Sequence, residues 1–543
     1  MKADFLDIFN AVLSKLKFPL NKVIVQIPKN PEHGDFTTNY PMINAKDIGK
    51  HPMEIAEIIV NGINKENNPL IEKINFISPG FINIKVNKVL LSSKLPDIVK
   101  LNFNYGMNKN NQGQKALVEF VSANPTGPLT VGHGRNAIIG DCVSRILEWN
   151  GFTVEREYYF NNAGRQMRVL GESVYVRYME LLGTQLVMPE GGYEGDYIKR
   201  IAQYIFNEHG EKYKNNNSAS IFKETAESLI FEDIKNTTDK IGLKFNSFFN
   251  ENKLYKNKEI DKVVSDLDSK GLVYKKDGAV WFKATSMGRE ADKVLIKSTG
   301  EPTYRLPDIA YHRDKYQRKY DLIVDVFGAD HMDAYPDVLA AMKALDLDSS
   351  KIKVLIYQFV TILKNGEPVK MSTRKANFIS LEELIDEVGA DVTRFFFIMR
   401  SINSHLNFDL DVAKDQSDIN PVFYIQYAHA RCCSIIRRFT DDVELIDTKV
   451  LEFLTNELES QIIRKLIEFP ELIIKCSNTL EPQNISNYLS ELASMLHSYY
   501  AKVKVIDLDN KSITESRVYL INAIRIVLRN GLSILGISSP EKM

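Results

Sequence analysis

The chain has 543 residues, enough for two to four domains and a large buried core. A hydrophobic content of 44% with 26% charged residues excludes a disordered or fibrous chain. Lys and Arg total 69 against 70 Asp and Glu, a net charge of −1, so a nucleic-acid partner has to be held by local basic patches and not by bulk charge.

The first residues, "MKADFLDIFNAVLSKLKF", have the apolar spacing of an amphipathic helix and lack the apolar block of a signal peptide. With "KVIVQIP", "PKNPEHGDFTTNYP" and the strand-like "INFISPGFINIKV", residues 1–105 are expected to form a small α+β domain. "NYGMNKNNQGQK" (104–115) reads as a linker. From there to about residue 400 strand-like runs ("ALVEFVS", "GFTVEREYYF", "DLIVDVFGAD", "KVLIYQFV") alternate with helical ones, which argues for a parallel sheet covered by helices on both faces. Residues 170–265 are more polar and helical and are expected to be an insertion into that 106–400 domain. Beyond about 405 strand signals end, and three- and four-residue apolar spacing predicts an all-α bundle over 401–543. No apolar run reaches the ~20 residues of a membrane span. Four cysteines (Cys142, Cys432, Cys433, Cys476) without a Cys-x-x-Cys pair argue against a disulfide framework and a structural metal, and the expectation is a reduced, cytoplasmic protein.

Chemistry concentrates in two loops. "NPTGPLTVGHGRN" (124–136) joins the first strand of the 106–400 domain to a helix, an arrangement that offers free N–H groups and a partial positive charge to a phosphate. Its "GHGRNA" also fits G-x-G-x-x-A, with Glu155 at the end of the next strand as a ribose acceptor, the pattern of a dinucleotide-binding oxidoreductase. Against that reading, a long, proline-containing stretch separates the strand from Gly132. "LKNGEPVKMSTRKANF" (363–378) supplies Lys364, Lys370, Arg374 and Lys375, and as plain structure it is a solvated charged loop. As chemistry, a mobile lysine neutralises charge that builds on phosphate oxygens as pyrophosphate leaves. A dehydrogenase has no use for it.

Taken together, "TVGH" (130–133) and "KMSTR" (370–374) resemble the two signature motifs of class I aminoacyl-tRNA synthetases. "VEFVSANPTGPLTVGHGRNAIIGD", "YYFNNAGRQM", "PTYRLPDIAYH", "NPVFYIQYAHAR" and "SILGISSPEKM" resemble arginyl-tRNA synthetases of the bacterial type over nearly the whole chain. The resemblance implies a Rossmann-like catalytic domain, an N-terminal domain at the tRNA elbow and a C-terminal anticodon-binding bundle in a monomer. It implies ATP with its Mg²⁺, L-arginine and tRNA(Arg) as substrates. Thr130, Gly132, His133, Lys370, Met371 and Ser372 are then expected around ATP, with His133 and Lys370 catalytic. Glu119, Ser122, Ala123, Asn124, Tyr304 and Asp308 are expected around arginine, with Gln166, His331 and Arg374 nearby. A guanidinium is a planar fork of donors that never loses its charge, so carboxylates and a flat neighbour suit it. Tyr304 and Asp308, four apart, share a face if helical.

The sequence departs from the family pattern at Thr130, where the first histidine of the tetrad is usual, and at Thr373, where the second lysine of the mobile loop is usual. For tRNA, Arg431, Arg437 and Arg438 lie on a predicted helix with Tyr427 and Phe439 near, and Tyr499, Tyr500 and Met543 are further stacking candidates. Another class I synthetase would be marked by Cys-x-x-Cys or editing insertions, neither of which occurs. The retained His133, Lys370 and Ser372 speak against a non-catalytic relative.

Overall fold

The computed structural model describes residues 2–21, 23–26, 28, 30–369, 379–439 and 441–543. At the N-terminus, helices Lys2–Lys15, Tyr40–Ile48 and Pro52–Glu66 cover a three-stranded antiparallel sheet. Its strands are β1 (Phe36–Thr38), β2 (Ile71–Ile77) and β3 (Phe81–Val86), in the order β1-β3-β2.

Next come β4 (Lys115–Glu119), β5 (Thr153–Phe160) and β6 (Ser247–Asn250). A separate antiparallel sheet follows, made of β7 (Val273–Lys276), β8 (Ala279–Phe282) and β9 (Lys293–Ile296), which the sequence pattern did not announce. β10 (Leu322–Gly328) and β11 (Ile352–Tyr357) then return to the first group. The five strands form one wholly parallel sheet in the order β11-β10-β4-β5-β6. In chain order that is 5-4-1-2-3, the doubly wound arrangement, whose direction of progression reverses between β4 and β10. Ligands of such sheets bind in the crevice outside the carboxyl ends of the strands at that reversal.

The expected insertion over 170–265 is corrected by this topology. Its helices are Gly164–Leu181, Asp196–His209 and Ser220–Lys240, but β6 within the same stretch is an edge strand of the central sheet. Four residues, "SFFN", are too few to show a period among polar neighbours. A second correction falls beyond residue 405. There β14 (Leu406–Asp409) pairs in parallel with β12 (Val360–Lys364), which also pairs with β13 (Glu367–Pro368).

Helices Pro421–Arg438, Glu457–Thr479, Gln483–Lys502 and Lys511–Ile534 make the expected bundle. The stretch read as a linker is docked upon it. Tyr105 is buried, donates to the Leu466 carbonyl at 2.9 Å and stacks on Phe469. One hydrophobic core runs from Phe5 through the sheet to Ile537. Among the described residues no helix is long and apolar enough to cross a membrane.

Candidate active site

Helix Val131–Trp149 begins at the crevice. Thr130 is its N-cap in extended conformation, and a capping box closes the turn: the His133 N–H reaches Thr130 Oγ1 at 3.5 Å, and the Thr130 N–H donates to His133 Nδ1 at 3.1 Å. A backbone N–H can only donate, so Nδ1 carries the lone pair and the imidazole proton sits on Nε2. Desolvation pushes the ring down to about 4, against the pull of the Asp330 carboxylate. His133 is therefore a neutral hydrogen-bond donor across the physiological pH range.

The glycines of the loop divide by function. A Cβ on Gly134 would lie 2.5 Å from Leu381, and one on Gly140 would overlap the Phe120 side chain, so both are required by packing. Gly132 is different: among the described residues a Cβ there would meet only Thr130 Oγ1 at 3.6 Å. Packing by the described residues alone does not account for this bare backbone next to His133.

Just past β4 the chain is strained. Val121 and Ser122 have φ of +66° and +46°, unusual for any residue with a Cβ and more so for β-branched valine. Asn136 holds this turn. Its Oδ1 accepts from the Val121 N–H at 2.6 Å, and its Nδ2 donates to the Val326 carbonyl on β10 at 2.8 Å. One buried amide thus clamps both sides of the point where the sheet reverses. Beyond the turn, Ser122 Oγ donates to Glu119 at 2.8 Å, and the Ala123 carbonyl accepts from Tyr158. Asn124 accepts from the Asn161 N–H and donates to Gln166 Oε1 at 3.0 Å.

A layer of charge backs the crevice. Asp325, Glu119 and Glu157 lie abreast on β10, β4 and β5, and helix Arg305–Gln317 covers them. Lys315, fully buried, bridges Glu119 and Asp325. His312 Nε2 lies 2.9 Å from Asp325. Glu157 receives Tyr311 and both Nη atoms of Arg318. Buried charges persist only when paired in this way. Lys315 and His312 hold the Asp325 carboxyl well below the usual range, and the two carboxylates hold Lys315 protonated. Burial pushes the Glu119 carboxyl up, and Lys315 is the principal group opposing that push. Sequence reasoning missed Asn136, Tyr159, Glu251, His312, Lys315 and Asp325, although Tyr159 lies in the "YYFNNAGRQM" motif and His312 in "PTYRLPDIAYH".

Asp308 stands apart from that pairing. Among the described residues its carboxylate has no hydrogen-bond or ion-pair partner. Desolvation, with Glu119 and Glu251 adding repulsion against His312 and Lys315, pushes it up to about 7. Glu251 accepts from Tyr159 at 2.6 Å and from Asn161 at 2.8 Å, and this third carboxylate is close enough to Asp308 to repel its charge.

Of the other expected residues, Tyr304 directly precedes this helix and is 91% exposed, its carbonyl accepting from the Asp308 N–H while its ring stands in solvent. His331 is exposed and stacked on Phe327 at 5.1 Å. Lys370, Met371, Ser372 and Arg374 lie outside the described residues. The chain is described again from Ile379, and there Ser380 bridges to Thr130 while the Leu381 N–H donates to the Leu129 carbonyl at 2.8 Å. Arg135, buried on the His133 helix, donates to the carbonyls of Gln358, Ser401 and Ser404 and so ties β12 and β14 to it.

On the bundle, Arg431 lies between the rings of Tyr427 and Tyr500, 4.6 and 4.8 Å from their centroids. Arg437 donates to the Glu541 carbonyl, and Arg438 and Met543 are exposed. Tyr499 is corrected as a stacking candidate: it is fully buried and donates to Glu459 at 2.9 Å. Its neighbour Tyr500 takes the outward face of the same helix.

Three family profiles match consecutive parts of the chain: the arginyl tRNA synthetase N terminal domain (residues 3–86), the class I (R) tRNA synthetase catalytic domain (94–395) and the DALR anticodon binding domain (425–543). The arginine–tRNA ligase of Desulfotalea psychrophila is 46% identical over 525 residues, covering 96% of this chain and 95% of the relative. That of Chlorobium limicola is 46% identical over 554 residues and covers both chains fully. The Thermus thermophilus arginyl-tRNA synthetase superposes over the whole length of both chains with a TM-score of 0.78 at 19% identity, a likeness of fold. The parallel sheet, the N-terminal domain and the C-terminal helical bundle agree with these matches, and the chain belongs to the arginyl-tRNA synthetase family.

Proposed function

We propose that this crevice joins L-arginine to ATP, releasing pyrophosphate, and passes the arginyl group from the adenylate to the terminal adenosine of tRNA(Arg). The observation that carries arginine as the amino acid is Asp308, a desolvated carboxylate that has no partner among the described residues and lies beside two further carboxylates, Glu119 and Glu251. Such a site favours a ligand that brings its own permanent cation, and a guanidinium does so at every relevant pH. Tyr304 reaches the same substrate by closing over it from its exposed position. Ser122, Ala123 and Asn124 face the α-amino and carboxylate groups, with Gln166 steadying Asn124.

ATP lies along Gly132 and the start of the His133 helix, with Mg²⁺ as its companion ion. As the arginine carboxylate attacks the α-phosphate, His133 donates from Nε2 to an oxygen gaining charge, and Lys370, Met371 and Ser372 meet the departing pyrophosphate, with Arg374 adding charge. Thr130, in place of the usual histidine, contributes the cap that fixes the His133 ring. H133Q, which retains a donor near Nε2, is expected to keep more activity than H133N, which retains only the acceptor near Nδ1. The wild-type rate should show no titration attributable to His133 between pH 6 and 9. An ionisation there that disappears in H133Q would remove the neutral-donor role.

Residues 1–105 serve the tRNA elbow, 106–400 the chemistry and 401–543 the anticodon, where Arg431 with Tyr427 and Tyr500, together with Arg437 and Arg438, meets single-stranded bases and phosphates. The enzyme is expected to work as a cytoplasmic monomer. ATP–pyrophosphate exchange with each amino acid, with and without tRNA, tests the whole reading: arginine alone should support exchange, and exchange driven by a different amino acid would overturn it. In the same assay K370A should be slower by roughly 10²–10³, the loss typical of one transition-state charge donor. Exchange at the wild-type rate would free Lys370 of that role.

A further inference from the structure

The pocket's carboxylates are unequally provided for, and the inequality follows from helix geometry. Asp308, His312 and Lys315 are spaced four and three apart on helix Arg305–Gln317 and so share the face turned to the sheet. His312 Nδ1 lies 2.8 Å from the Asp308 carbonyl and its Nε2 lies 2.9 Å from Asp325, which pins the first turn of the helix to β10. One turn on, the Lys315 ammonium lies 4.2 Å from the Tyr311 ring centroid and spans Glu119 and Asp325. Those two carboxylates are register partners on adjacent strands. Without a cation between them, one would have to take up a proton or turn away.

Resting on the arginine-pocket reading above, we propose that Lys315 is a positioning residue for amino-acid recognition: by bridging Glu119 and Asp325 it opposes protonation of Glu119 and holds it in place, and leaves Asp308 as the unpaired carboxylate that meets the guanidinium. Lys315 itself is fully buried and reaches no substrate. The groups facing Asp308 are Glu119 from β4, Tyr159 from β5, Glu251 after β6, and His312 and Lys315 from its own helix. Lys315 is a cation in that set, so its removal should make Asp308 harder to ionise.

The test is calorimetric titration of the full-length protein with L-arginine at pH 6, 7 and 8, in two buffers of different ionisation heat. The wild type should bind about tenfold more tightly at pH 8 than at pH 6 and release about half a proton at pH 7, as a carboxylate titrating near 7 requires. In K315M the midpoint of that pH dependence should lie about one pH unit higher, and Kd at pH 7 should rise several-fold, as a midpoint displaced that far requires. K315R, which keeps the charge, should hold the wild-type midpoint. Should K315M not fold, the charge-balanced K315M/D325N variant carries the same expectation. A wild-type midpoint and proton release in the methionine variants, or an equal displacement in K315R, would overturn the positioning role and leave Lys315 merely structural. Undiminished arginine binding by D308N would instead overturn the pocket reading beneath it.

Discussion

D308N is expected to weaken arginine binding by roughly 10²–10³-fold while leaving the KM for ATP within a few-fold of wild type. Asparagine has the shape of the aspartate and lacks its charge, so a bound guanidinium would be desolvated without a counter-ion. Removing one partner of a buried charge pair costs about 2–5 kcal/mol, which brackets that loss. The sign of the pH effect follows from the same residue. Its carboxyl is raised from 3.8 to about 7 in the empty pocket, so the folded protein holds a proton there that the unfolded chain has given up. Stability contributed at this site is therefore present below pH 3.8 and lost as pH rises towards 7. Bound arginine reverses that loss by pairing the anion. The rise in Tm on adding arginine should be larger at pH 8 than at pH 6 in the wild type and independent of pH in D308N. Equal effects of D308N on the KM for arginine and for ATP would remove Asp308 from the amino-acid pocket.

N136A is expected to cost about 3 kcal/mol of stability and to lower kcat/KM for pyrophosphate exchange by at least about 10²-fold. The alanine leaves a buried N–H at Val121 and a buried carbonyl at Val326 without their partner, at about 1–3 kcal/mol each. The rate suffers separately, because Val121 and Ser122 keep their positive φ only while something over-determines them. Once released, the turn relaxes toward ordinary backbone and carries Ser122, Ala123 and Asn124 with it. Urea denaturation and exchange kinetics measure the two effects apart. A stability loss with unchanged kinetics would show that the strained turn does not position the substrate residues.

Several features of the site were legible because they are local. The helix behind the 124–136 loop and the four strand-like runs of the 106–400 domain are written in neighbouring residues. The fourth-residue spacing of Tyr304 and Asp308 was legible too, but it placed the two on one face on the premise that both are helical. The backbone meets that premise, since Tyr304 caps the helix with helical dihedrals and its carbonyl accepts from the Asp308 N–H at 3.4 Å, but its ring turns out to solvent. The charged layer beneath the pocket could not be read in the same way. Glu119 and Asp325 are brought together only by the β4–β10 pairing, Lys315 reaches both from the covering helix, and a lone lysine on a helix looks like any solvated one. Likewise Asn136 sits between Arg135 and Ala137 on the His133 helix, and nothing in its sequence neighbours reveals that its amide reaches both the turn after β4 and β10. β6 was hidden by brevity, and Tyr499 was misplaced because adjacent tyrosines on a helix face different ways.

Arg394 turns the shared core into a constraint on how the molecule can be divided. Its buried guanidinium grips Asp141 on the His133 helix at 2.5 Å, and donates to the Ile241 carbonyl and to the Leu535 carbonyl, each at 2.8 Å. Three remote stretches of polypeptide therefore end on one side chain. A fragment stopped near residue 400 would keep every group assigned to the chemistry and still strip this cation of an acceptor, while baring the apolar flank of the helix that carries His133. Such a piece should be recovered as aggregate, and activity should return only when the missing bundle is supplied as a second polypeptide.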